Sequence, residues 1–220
     1  MIIRSLIAAS VAVSCLFALP AFANESTLAK VKQTSTLKLG YRENSPPFSF
    51  LADDKKPRGY SIDLCKAVAA GIAKQLNLSH LDVQWVPVTA HTRFEALKNG
   101  EIDLECGNTT QTLSRRAEFD FSLMTFIDGA SLLFRGREKP NSLDEIKGQR
   151  VAVVSDTTTE KAMDELVNAA KIGVRLIKVK DHDEALKALA DKTATAYAAD
   201  RTVLITTALL RGAGKEFEIA

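Results

Sequence analysis

The stretch RVAVVSDTTTEKAMDELVNAA, Arg150 to Ala170, carries the pattern that decides the architecture. Arg150 to Val154 is a short apolar run rich in valine, the signature of a buried strand. Ser155-Asp156-Thr157-Thr158-Thr159-Glu160 breaks it with polar groups, and helical spacing runs from about Lys161 to Ala170. The alternation continues downstream, with strands at Val174 to Val179 and Thr195 to Ala199, and helices at Asp183 to Ala190 and Val203 to Leu210. Upstream, Leu37 to Tyr41 reads as a strand and Arg42 to Pro47 as a turn, because its two prolines forbid a helix. Ile62, Leu64, Ala67, Val68, Ile72 and Leu76 recur at helical spacing over Tyr60 to Leu76. Leu81 to Val88 is a strand, Arg93 to Lys98 a helix stopped by Asn99-Gly100, and Ile102 to Cys106 a buried strand. Strands alternating with helices predict βαβ units and parallel sheets. Two such series, parted near Ser131 to Gly136, predict an α/β fold with two lobes, and Pro140 to Ile146 reads as a polar connector.

The first 23 residues read differently. Arg4 precedes a nearly unbroken apolar and small-residue run that closes on Pro20-Ala21-Phe22-Ala23. Alanines at the −3 and −1 positions match a signal-peptidase site, so residues 1–23 read as a cleaved signal peptide. A lipoprotein signal at Cys15 is the lesser reading, since Ala12 stands where Leu, Val or Ile is preferred. Removing 23 of 220 residues leaves 197, enough for one large or two small domains. With 29 basic against 27 acidic residues the charge is mixed, and nothing marks a nucleic-acid partner. Cys65 and Cys106 would lie in an oxidising compartment, where a bridge and a pair of buried thiols are both open readings.

In open α/β sheets, ligands bind beyond the carboxyl ends of strands. Five loops there carry polar groups: Arg42, Thr89 to Arg93, Asn108 to Arg115, Thr157 to Thr159, and Asp181-His182. Hydroxyls and N–H groups ahead of a helix cradle anions, and guanidinium forks match carboxylates. Each feature also has a plain alternative. Loop arginines are commonly surface groups, Thr157 to Glu160 fits a capping box, His182 fits a cap, and Phe48, Phe50 and Tyr60 fit ordinary core. The repeated post-strand placement favours an anion-binding cleft.

Signals for catalysis are weak. There is no G-x-S-x-G elbow, no Walker A loop and no G-x-G-x-x-G, so no cofactor is expected, and no Cys/His cluster has metal-ligand spacing. Glu101, Asp103 and Glu105 alternate along a strand and share a face; a glycosidase pair is conceivable, yet a solvated edge is the simpler reading.

LGYRENSPPFSF (Leu39 to Phe50), GYSIDLCKAV (Gly59 to Val68), DLECGNTTQTLSRR (Asp103 to Arg116), VVSDTTTEKAMDEL (Val153 to Leu166) and VKDHDEALKAL (Val179 to Leu189) resemble, in the same order, the periplasmic glutamate/aspartate-binding proteins of ABC importers. The resemblance implies a two-lobed, hinged type II solute-binding fold, with lobe 1 over 24–130, lobe 2 over 131–216, and a crossover back to lobe 1 starting at 217–220. It implies capture of glutamate or aspartate by a monomer and delivery to an inner-membrane ABC permease. Arg42, Arg93 and His182 would take the ligand's side-chain carboxylate. Arg115, Thr110 and Thr158 would take the α-carboxylate, and Asp200 the ammonium. Ala90 and Asn108 stand where the family has serines. Losing the first hydroxyl costs on the order of 1 kcal/mol unless Thr92 or water replaces it, and the change bears on glutamate-versus-aspartate preference. Family members also run on past Phe217 to Ala220, so the resemblance implies a C-terminally truncated chain, a poorly stable one, and adds a partner in the absent part to the open readings for Cys106. An enzyme on the same scaffold, dehydratase-like, and a sensor module are the competing functions.

Overall fold

The computed structural model describes residues 26–136, 146–171, 173–210 and 217–220. The signal-peptide reading and most of the connector reading therefore lie outside the described residues.

Lobe 1 begins with α1 (Thr27–Thr34), then β1 (Thr36–Tyr41), the short strands β2 (Asn44–Ser45), β3 (Ser49–Leu51) and β4 (Pro57–Arg58), and α2 (Tyr60–Gln75). It continues with β5 (Asp82–Pro87), α3 (Arg93–Lys98), β6 (Leu104–Cys106) and α4 (Leu113–Arg116). β1 is central in the sheet β5-β1-β6, and both pairings are parallel, as the alternation predicts. Leu37, Leu39 and Tyr41 of β1 bury against Ile62, Cys65 and Ala69 of α2. Removing such a side chain from water is worth roughly 1.5–3 kcal/mol. α2 starts at Gly59, whose φ of +125° suits glycine, and a Cβ there would stand 2.4 Å from the Phe48 carbonyl oxygen.

Of the two readings left open for the cysteines, the structure shows the bridge: Cys65 of α2 is bonded to Cys106 of β6, with Cα atoms 6.2 Å apart. Cys106 thus has its partner within the chain rather than beyond Ala220. The solvated-edge reading is also corrected. Glu101 is exposed, but the Asp103 side chain is 2% exposed, pairs with Lys30 and accepts from the Lys38 amide at 2.8 Å. Glu105 Oε1 is likewise sealed from solvent.

The second lobe comprises β7 (Ala130–Arg135), β8 (Arg150–Val154), α5 (Thr158–Ala170), β9 (Arg175–Val179), α6 (His182–Ala190), β10 (Ala196–Asp200), α7 (Arg201–Leu210) and β11 (Phe217–Ile219). Its sheet runs β11-β7-β10-β8-β9. Val151 and Val153 join a core with Met163 of α5, whereas Ala152 and Val154 join one with Ala185 and Leu189 of α6 and Leu204 of α7. Burial on both faces explains the uninterrupted apolar run from Val151 to Val154.

The sheet is mixed rather than parallel throughout, since β7 and β11 run antiparallel to their neighbours. Ser131 to Gly136, read as a separator, belongs largely to β7, with Leu133 fully buried. Residues 217–219 form β11 on the edge of this sheet, antiparallel to β7, with the Ala220 amide donating to the Leu132 carbonyl.

Candidate functional site

Every post-strand loop singled out in the sequence reaches the same cleft between the sheets. Arg42 follows β1, Arg93 opens α3, Asn108 and Thr110 follow β6, and Arg115 lies in α4. From the other side come Thr158 at the start of α5, His182 at the start of α6, and Asp200 at the end of β10. All eight line one cavity, together with Thr109, Thr157, Thr159 and parts of β8 and β10. The placement follows from topology, because strand ends in both lobes converge there.

The two leading arginines are deeply held, Arg42 being 4% and Arg93 3% exposed. The Ser49 hydroxyl accepts from the Arg42 amide at 2.9 Å and donates to its carbonyl at 3.2 Å, which fixes the turn after β1. Arg93 Nη2 donates to the Asp156 carbonyl across the cleft at 3.0 Å, while its Nε and Nη1 are buried without a hydrogen-bond partner among the described residues. Burial lowers the Arg93 pKa to about 10; Glu105 opposes that shift, and Arg42 and Arg115 add to it. Arg115 Nη1 donates to the Thr110 carbonyl at 2.9 Å. Phe94 lies under both guanidiniums, 4.4 Å from that of Arg93 and 5.2 Å from that of Arg115. Such stacking orients a planar cation without consuming its donors.

Thr157 caps α5, its hydroxyl accepting from the Glu160 amide at 3.0 Å, while the Glu160 carboxylate accepts from the Asp156 amide at 2.7 Å. The capping reading of this loop and its cleft position hold together, because capping leaves the Thr158 hydroxyl free to meet that of Thr110 at 3.1 Å. Asp200 Oδ2 accepts from Asn108 Nδ2 at 3.3 Å. Burial, then the nearby Asp128 charge, raise the Asp200 pKa, and Asn108 counters them.

His182 is buried and bonds Tyr197 through Nδ1. Burial, followed by the Arg42 charge, lowers its pKa to about 3, so the ring is neutral at ordinary pH. Burial raises the Tyr197 pKa, which keeps the phenol protonated. With the phenol as donor, the remaining imidazole proton sits on Nε2 as a donor to the cleft.

Ala90 and Thr92 do not line the cavity. Ala90 is 1% exposed and packs with second-lobe residues such as Val154 and Ala185, whereas Thr92 is tied into a turn by reciprocal bonds with Thr89. Thr92 is therefore no stand-in for the absent hydroxyl. Sequence reasoning missed Phe94, Tyr197 and Glu105. Phe94 had a signal, an aromatic beside a site arginine, but Tyr197 sits in an apolar strand and had none.

The comparisons with known proteins agree with this geometry. A family model described as bacterial extracellular solute-binding proteins, family 3, matches residues 37–204. The chain is 37% identical over 195 residues to the L-glutamate/L-aspartate-binding protein of Pseudomonas aeruginosa, spanning 87% of this chain and 65% of that one. It is 34% identical to the glutamate/aspartate import solute-binding protein of Escherichia coli, over 81% of this chain and 59% of that one. This chain is thus shorter than both relatives, spanning under two thirds of either. An ancestral amino acid-binding protein, a precursor of cyclohexadienyl dehydratase, superposes with a TM-score of 0.74 at 27% identity, covering 89% of this chain and 81% of that one. With the type II architecture, the convergent cleft and a family match across both lobes, the chain belongs to the bacterial extracellular solute-binding proteins, family 3.

Proposed function

We propose that the chain is the periplasmic solute-binding component of an ABC importer and captures L-glutamate or L-aspartate between its lobes for an inner-membrane permease. The observation that carries this reading is Arg93, whose Nε and Nη1 are buried and unpartnered beside two further arginines. Buried donors of that kind are costly unless an anion completes them. Arg42, Arg93 and the neutral His182 suit a side-chain carboxylate, and Arg115 with Thr110 and Thr158 suits the α-carboxylate. Asp200, presented by Asn108, suits the single ammonium. The names of the Pseudomonas and Escherichia relatives support the ligand class and the importer. The relatives are solute-binding proteins, and the cleft's groups hold charge in place, so we read the role as binding rather than catalysis. The secreted form would begin after Ala23 and act as a monomer.

Isothermal titration of the chain with glutamate, aspartate and glutamine tests the reading. Heat is expected with at least one acid and little with glutamine. Silence with both acids, or a preference for glutamine, overturns it.

A further inference from the structure

We infer that Glu105 is the resident counter-ion of the arginine cluster and sets the net charge that the cleft presents to its ligand. It acts through the arginines, as a positioning and selectivity residue, and the inference rests on the acidic amino-acid reading above.

Glu105 lies in β6 and is absent from the cavity lining, so it sits behind the arginines rather than among the ligand's contacts. Its Oε1 is buried without a hydrogen-bond partner among the described residues. A Cβ placed on Gly107 would stand 2.1 Å from that oxygen and 3.2 Å from Arg42 Cγ. The carboxylate therefore fills the space left by the missing side chain of Gly107, alongside the Arg42 stem. A buried carboxylate with an unmet oxygen persists only beside compensating charge. Arg42, Arg93 and Arg115 supply it from three separate elements. Burial pushes the Glu105 carboxyl up, and the guanidiniums of Arg42 and then Arg93 pull it down. Glu105 in turn supports the charge of all three arginines against their own burial.

Glu105 opposes the positive charge of the three guanidiniums, so replacing its carboxylate by an amide makes the cleft more positive by one charge. An acidic amino acid, with two carboxylates and one ammonium, carries a single negative charge, whereas a plain dicarboxylate carries two. Loss of the Glu105 charge would therefore move the preference toward the dianion.

The test is to measure L-glutamate and glutarate affinities for the wild-type chain and for Glu105→Gln, Glu105→Asp and Gly107→Ala, by titration or competition. The glutarate-to-glutamate affinity ratio is expected to rise about tenfold in Glu105→Gln, as the loss of one partly buried charge implies. It should stay near wild type in Glu105→Asp, which keeps the charge. Gly107→Ala displaces the carboxylate without deleting it, so the ratio should rise there too, and this variant decides the matter if Glu105→Gln does not fold. An unchanged ratio in the folded variants overturns the inference alone. Misfolding of both Glu105→Gln and Gly107→Ala would mark Glu105 as a packing group and also overturn it. Absence of wild-type binding to both glutamate and aspartate would sink the acidic-ligand reading, and this inference with it.

Discussion

Arg93 and His182 show what single side chains contribute to the cleft. Arg93 uses Nη2 on the Asp156 carbonyl, and its Nε and Nη1 have no partner among the described residues. Arg93→Ala should weaken glutamate by about a hundredfold, the scale of losing one partner of a buried charge pair, and should affect glutamine far less. Titration with both ligands checks it, and unchanged selectivity would show that Arg93 does not read the side-chain carboxylate. His182 gives a pH prediction. The unfolded ring takes a proton below its ordinary pKa of 6.5, whereas the folded ring does so only below about 3. Between those limits the unfolded state binds more protons, so this residue's contribution to stability is lost as pH falls. Wild type should lose about 2 kcal/mol more than His182→Gln between pH 6.5 and pH 4.5 in denaturant melts. Equal losses would place the ring outside that environment. The arginines were legible in the sequence because a charged fork after a strand is chemically conspicuous. Glu105 was not: alternation shows that Glu101, Asp103 and Glu105 share a face, but only the packing of α1, Gly107 and the arginines shows which of them is covered.

At the scale of elements, periodicity located most strands and helices, and their ends were harder. α5 begins at Thr158, not near Lys161, because the capping residue is Thr157 and the polar threonines after it already hold helical geometry. Thr157→Ala should therefore cost about 1 kcal/mol, the usual value of an N-cap hydroxyl, read as a lower denaturation midpoint with an unchanged slope. β7 was missed for a different reason: Leu133 packs into one core and Leu132 and Phe134 into the other, so both faces are covered and no polar alternation marks the strand. The link between α2 and β6 matters more for stability. Cys65 and Cys106 are 41 residues apart, and closing a loop of that length in the unfolded chain is worth about 3–4 kcal/mol. Reduction, or paired replacement of both cysteines by serine, should lower the melting temperature by about 10 °C for a chain of this size. A shift within error would mean that the reduced protein keeps the same constraint through packing alone.

The lobes have largely separate cores, and what joins them is polar. Lobe 1 buries Leu37, Leu39 and Ile62 around β1, while the second lobe buries Val151, Leu189 and Leu204 around β8 and β10. Among the described residues, Ala90 alone crosses from the first lobe into the core of the second. Between them, Asn108 meets Asp200, Thr110 meets Thr158, and Arg93 reaches the Asp156 carbonyl. The cavity between these bridges is open to solvent and shares Asn108, Thr109, Thr110 and Asp200 with a second, roomier one of about 270 Å³. In the proposed function, a ligand held between the lobes would take the place of these bridges with carboxylate and ammonium contacts to both. Such a ligand ties two cores into one cooperative unit. Glutamate at a hundredfold its dissociation constant should add about 2.7 kcal/mol by mass action, and calorimetry should show a broad or divided unliganded transition merging into one sharper peak. If glutamate moved one transition and left the other in place, the ligand would be held by a single lobe, and the bridging role of Thr158, His182 and Asp200 would be lost.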